Sequence, residues 1–200
     1  MKNKVIIVLF AFAFFLFGCA NGGEFVTVEQ SQKNFLLYEE SLEDVANQYN
    51  LELLRTEDSY FEENQDRQVH FILKVDAKNR IEIDISNSAI GESKGVESFS
   101  INYVVESSHK YDSYNLPLFV DLANCLSGKE LTNDFCEEFL SAPESKYAAT
   151  RHGFQKLNGE KIAKQHFFNF QEDWTIFYTL SAENEACLTF SGLTKKFEQS

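Results

Sequence analysis

Proline is nearly missing from this chain, at two in 200 residues, and glycine stands at only nine. Segments that stay disordered are enriched in these residues, so the composition excludes a long disordered linker. Basic residues are also scarce: 18 Lys and Arg face 31 Asp and Glu, a formal charge of −13. A surface of that sign repels phosphate backbones and anionic headgroups, which excludes nucleic acid as a partner and electrostatic adhesion to membranes. Motifs with a built-in reaction are missing too, whether a Gly-x-Ser-x-Gly elbow, a phosphate-cradling glycine loop, His-Glu-x-x-His or Cys-x-x-Cys. His70, His109, His152 and His166 stand singly, without the spacing of a local metal clamp. No catalytic residue, metal site or cofactor is therefore assigned, and an enzyme with dispersed catalytic residues stays open as an alternative.

What is present is a globular composition, 44% hydrophobic and 24% charged, in a length that suits one domain with a real core. Ahead of it lies a leader. Lys2 and Lys4 form a basic n-region, and Val5 to Phe17 is an uninterrupted apolar run of thirteen residues, the length of a signal-peptide core and short for a membrane span. Leu16, Phe17, Gly18 and Cys19 follow. They resemble the lipobox of bacterial lipoproteins, with a leucine three places before cleavage, a small residue just before it, and then the cysteine.

That resemblance implies that residues 1–18 are removed and that Cys19, carrying a diacylglyceryl group, becomes the first residue of the mature protein. Two acyl chains give stable anchoring where one is marginal. The partner implied is the lipid bilayer, with the domain in the cell envelope on the extracytoplasmic side. Residues 19–28 form a short tether, and a single domain occupies 29–200. From Cys19 to about Glu29 an extended chain reaches at most on the order of 35 Å. Without Lys2 and Lys4 the remaining 16 basic residues face 31 acidic ones, a charge of −15.

In "NFLLYEESLEDVANQY" the residues Phe35, Tyr38, Leu42, Val45 and Tyr49 recur at spacings of three and four, one apolar stripe on a helix. Glu39, Glu40, Glu43 and Asp44 form its solvated side. "TEDSYFEENQDR" reads as a polar segment, and its acidic residues Glu57, Asp58, Glu62, Glu63 and Asp66 lack the spacing and glycine of a calcium loop. The period then becomes two. Val69, Phe71, Leu73 and Val75 alternate with polar residues, as do Ile81, Ile83 and Ile85, which predicts a hairpin turning through 76–79 with Asn79 able to take the left-handed conformation. A further strand carries Phe99, Ile101, Tyr103 and Val105 on one side.

Pro117 and Gly128 bracket a second helical region, and Thr132 to Leu140 reads as a third, closed before Pro143. Strands at about 160–170, 173–181 and 186–193 follow an Asn158-Gly159 turn. The order predicts an α+β fold with an antiparallel sheet packed against helices. "DVAN" at 44–47 and "DLAN" at 121–124 occupy comparable helices, and a helix-plus-sheet repeat of this kind resembles the topology of β-lactamase-inhibitor-like proteins.

Cys125 and Cys136 lie on consecutive helices that could bring them together as a disulfide, with free thiols equally open; Cys187 is then an odd, packed thiol. In "HFFNFQEDWTIFY", pairing residue 170 with 174 sets Phe168 opposite Ile176 and His166 opposite Tyr178, and sets Phe167 opposite Phe177 on the other side. If that side is uncovered, Phe167 and Phe177 are the best candidates to anchor a partner. The function expected is a non-enzymatic binding or interaction module whose ligand is an unidentified protein or small molecule. An inhibitor or immunity-type protein for a basic partner is the alternative.

The leader generates the first prediction. Membrane-fraction protein should label with a fatty-acid probe and begin at Cys19, and Cys19→Ser should lose the label; a dominant unmodified species beginning at Met1 would refute lipidation.

Overall fold

The computed structural model describes residues 27–61, 66–89, 95–106, 114–142, 156–157, 160–170, 174–181 and 185–195. The first helix, α1, spans Val28–Gln48. It starts because the Thr27 side chain accepts a hydrogen bond from the Gln30 amide at 3.2 Å, the usual device for an orphan N–H of the first turn. Its stripe faces inward as the spacing requires, with Phe35, Tyr38, Leu42 and Val45 buried. It ends at Tyr49, whose hydroxyl donates to Asp121 at 2.6 Å, and Asn50 then turns the chain with φ of 56°.

Four strands follow: β1 (Leu53–Phe61), β2 (Asp66–Lys74), β3 (Asn79–Ala89) and β4 (Gly95–Glu106). The polar segment expected at 56–67 is thus corrected, since most of it is strand. It escapes the alternation test because β1 is an edge strand, bulged between Arg55 and Glu57 and rich in charge, the features by which an edge avoids adding further strands. The β2–β3 turn is also corrected in detail. Asn79 is not left-handed; instead the Asp76 carboxylate accepts from the Lys78 and Asn79 amides at 2.7 and 2.9 Å and closes the turn.

Helix α2 spans Leu116–Ser127, with Asn115 as N-cap, Pro117 in the first turn and Gly128 left-handed beyond its end, and α3 spans Asn133–Ser141 behind the Thr132 cap. Then come β5 (Lys156–Leu157), β6 (Glu160–Phe170), β7 (Trp174–Ser181) and β8 (Glu185–Leu193). Asn158 and Gly159 lie outside the described residues, between the paired Leu157 and Glu160. No described helix is long and apolar enough to cross a membrane.

All the strands join one eight-stranded antiparallel sheet in the order β1-β2-β3-β4-β8-β7-β6-β5. Each half of the chain supplies helix and then four strands, and β4 pairs with β8 where the halves meet. This is the repeat suggested by "DVAN" and "DLAN", with β5 far shorter than its counterpart β1. Register fixes which side chains share a face. One row, Phe71, Ile83, Ile101, Phe190, Ile176 and Phe168, crosses six strands with every member apolar. These residues form one core with the buried faces of α1, α2 and α3, so the helices occupy a single side of the sheet.

Gly128 has φ of 63°, and a Cβ there would sit 2.9 Å from the Lys195 Cβ. Gly128→Ala should therefore cost about 1–2 kcal/mol, measured by denaturant unfolding; an unchanged midpoint would show that the chain relaxes around the new methyl.

Candidate functional site

The side of the sheet opposite the helices carries, among the described residues, no covering element. Alternation dictates what it displays. Next to the apolar row on one flank run Ile72, Glu82, Asn102, Thr189, Phe177 and Phe167, each opposite the next in register. On the other flank run His70, Asp84, Ser100, Ser191, Thr175 and Asn169. The result is a surface of hydroxyls and amides with one charged end and one aromatic position.

Its polar groups largely satisfy one another. Thr189 Oγ1 donates to Asn102 Oδ1 at 2.8 Å, and Asn102 Nδ2 donates to Ser100 Oγ at 3.3 Å. Ser86 and Ser98 hydroxyls lie 3.0 Å apart. Asn102 and Thr189 are each only 8% exposed, in register between Glu82 on β3 and Phe177 on β7. Arg80 Nε donates to Glu82 Oε1 at 2.6 Å, which neutralises that carboxylate. A face whose groups already hold one another has little to reorganise when it is covered, which lowers the cost of binding.

At the charged end His70 Nδ1 lies 2.8 Å from Asp84 Oδ1. The hydrogen bond to Asp84 raises the histidine above its ordinary range, against the opposing effect of burial, and the charges of Asp84, Glu82 and Glu57 add to the rise. Sequence inspection treated His70 as solitary, although a signal was there: a hairpin closing with Val75 next to Asn79 brings 70 opposite 84. A carboxylate-oriented imidazole is half of an acid–base pair. Among the described residues the ring's hydrogen-bond partner is Asp84, and the Thr56 hydroxyl reaches only the His70 carbonyl, at 3.3 Å.

The hairpin register expected at the C-terminus is the one observed: Phe170 opposite Trp174, Phe168 opposite Ile176, Phe167 opposite Phe177 and His166 opposite Tyr178. Phe168 packs against Phe135 of α3 with ring centroids 5.5 Å apart, while Phe177 is half-buried on the uncovered side. The side chains of Phe167 and His166 lie outside the described residues, as do Cys19, His109, His152, Glu62 and Glu63 entirely. Asp58 is not part of a cation site, because Arg67 grips it with two hydrogen bonds at 2.9 and 3.1 Å and Arg55 adds a third at 3.2 Å. Among the described residues no group of acidic, histidine or cysteine side chains is placed to hold a metal.

The disulfide expected between Cys125 and Cys136 is corrected: both are free thiols. Cys125 turns back along its own helix and donates to the Leu122 carbonyl at 3.1 Å, while Cys136 is fully buried in the core on α3. Burial pushes both thiols up to about 12, which leaves almost no thiolate to react. Compared with protein-family models, with curated proteins and with solved structures, the chain gives no match.

The His70–Asp84 pair generates a signed prediction. Because the folded state raises the histidine, the pair's stabilisation is fully present below the unfolded value near 6.5 and fades as pH climbs through the folded one. Asp84→Asn should therefore cost about 1 kcal/mol on the acid side of that window and progressively less above it. Unfolding midpoints that shift equally at acid and alkaline pH would contradict this.

Proposed function

We propose that the protein is a lipid-anchored binding module of the bacterial cell envelope, held by an acylated Cys19 on the extracytoplasmic side, that takes its partner on the uncovered face of the sheet. The observation that supports this is the combination of a broad, internally hydrogen-bonded polar face with the aromatic position at Phe177 and Phe167. Aromatic side chains in a polar setting are the usual energetic anchors of interfaces. The partner is a protein, because the face extends across six strands, from β2 to β6, a breadth that suits a protein surface rather than a small molecule.

A second possibility, an inhibitor or immunity-type protein for a basic partner, has its own support in the charge. The three helices together carry nine acidic residues and one basic one. Such a surface speeds the approach of a cationic protein and makes capture sensitive to salt. The enzyme alternative is less well supported, because the His70–Asp84 pair engages no nucleophile among the described residues.

Photo-crosslinking in cells tests the use of the face. With the crosslinker at Thr175, on the uncovered side, a discrete adduct should form, and with it at Glu43, on the exposed side of α1, the same adduct should not. Phe167→Ala with Phe177→Ala should reduce the adduct at least tenfold while leaving the unfolding midpoint within about 1 kcal/mol of the parent. Cooperative unfolding of the double variant at much lower temperature would assign the aromatics to the core instead.

A further inference from the structure

Beneath the N-terminal half of α1 the packing changes character. Ser31, Asn34, Asn87 and Glu97 are all buried there, Glu97 at 6% exposure and Ser31 at 3%. Asn34 Nδ2 donates to Glu97 Oε2 at 2.9 Å. No described lysine or arginine forms an ion pair with Glu97. Asn87 is its neighbour in the sheet, and Arg67 beyond that is committed to Asp58. On the far side Thr194 and Lys195 fold across the cluster, held by the Thr194 amide on the Glu97 carbonyl at 3.2 Å and the Lys195 amide on the Leu126 carbonyl at 2.6 Å.

The Tyr38 hydroxyl oxygen sits at the centre of this cluster, 2.8 Å from Glu97 Oε2, 2.9 Å from Thr194 Oγ1 and 3.0 Å from the Lys195 carbonyl oxygen. These are three short oxygen–oxygen contacts, and each needs a proton between its atoms. Tyr38 brings one proton and Thr194 brings one, for which the Glu97 backbone carbonyl, at a longer 3.4 Å, competes; a carbonyl and a carboxylate bring none. With Glu97 ionised, either the Glu97 contact or the Lys195 contact goes without. With Glu97 protonated, its hydroxyl donates to Tyr38, Tyr38 donates to Lys195 O, Thr194 donates to Tyr38, and all three are made. The other carboxyl oxygen, Oε1, is buried without a hydrogen-bond partner of good geometry among the described residues, as is Ser31 Oγ, although the Ser31 hydroxyl lies close enough to the carboxyl to favour its ionised form. A buried carboxylate left with an unpartnered oxygen and no counter-charge is costly, and taking up a proton removes most of that cost.

We infer that Glu97 is a proton-binding site that latches the N-terminal half of α1 and the C-terminal segment onto the sheet, closed when Glu97 is protonated and weakened when it ionises. Burial drives the carboxyl above its ordinary range, more than the Asn34 and Tyr38 bonds and the nearby Ser31 hydroxyl lower it. The sign follows. An acid raised by folding stabilises the closed state increasingly as pH falls through its folded value, and the gain levels off once pH lies below its value in the open state. The latch makes no use of Cys19, so its test is independent of lipidation and of any partner.

Two measurements on the unaltered full chain and one variant decide it. Carbon-detected titration of the glutamate carboxyls should place Glu97 clearly above the exposed glutamates. Amide exchange across residues 28–38, corrected for intrinsic rate, should slow by up to about tenfold per pH unit as pH is lowered through that window. In Glu97→Gln, which keeps the shape but cannot titrate, the exchange should be independent of pH. If Glu97 titrates with or below the exposed glutamates, or if the glutamine variant keeps the pH dependence of the parent, the latch is wrong. If that variant fails to fold, the titration of the unaltered chain still decides.

Discussion

The pairing of β4 with β8 is the contact on which the rest of the molecule depends, because it alone joins two half-sheets that are each only four strands wide. Side chains alternate along a strand with a period of two, so a slip of one residue at this seam would turn Phe190, Leu188 and Ala186 outward and bring Thr189 and Cys187 into the core. The seam is held in register by the apolar rows that cross it. Ile101 meets Phe190 and Tyr103 meets Leu188, with Phe99 and Phe190 rings 5.7 Å apart on the diagonal. Hydrophobic burial is non-directional, but in a sheet with one dry face it becomes a register device. On the open face, the bond between Asn102 and Thr189 spans the same seam from the other side, so packing within the core positions the polar surface outside it.

Charge is distributed unevenly over the two sides. On the helical side acidic residues accumulate: Glu40, Glu43 and Asp44 on α1 and Asp134, Glu137 and Glu138 on α3 are all exposed. On the open face the charges beside Asn102 and Ser100 are already partnered, Arg80 with Glu82 and His70 with Asp84. One side can therefore attract a cationic body over a distance comparable to the Debye length, while the other offers shape and hydrogen bonds at short range. The two modes are not exclusive, since long-range attraction acts on the rate of encounter and short-range fit on the lifetime of the complex.

Most of the fold was legible because most of it has one wet and one dry face. The stripe of α1, the β2–β3 hairpin and the register of β6 on β7 all announce themselves through periodicity, and Gly128 ends α2 where expected. β1 was illegible for a physical reason: an edge strand has half its backbone pairing and little burial, so selection there favours charge over alternation. The disulfide expectation failed because sequence places two helices next to each other without fixing how each is rotated about its axis. Of the site, the partners His70 and Asp84 were in principle readable from the hairpin turn, and the Phe167–Phe177 pairing was read. The bond between Tyr38 and Glu97 spans 59 residues, and the sequence carries no local sign of it beyond the parity that points Glu97 inward with Phe99 and Ile101.

That parity says something about how α1 is held. Phe35, Leu42 and Val45 bind it by apolar contact, which resists separation but only weakly resists sliding along the helix axis, since one methyl group is much like another to its neighbours. Hydrogen bonds are directional and fall off steeply with misalignment. Asn34 and Tyr38, placed four residues apart on one face and both bonded to Glu97 Oε2, therefore fix the axial and rotational position of α1 as the apolar stripe cannot. If Cys19 carries the anchor proposed above, a pull from the membrane would enter the chain ahead of α1, and these position-fixing bonds lie at that end of the helix, with the core behind them.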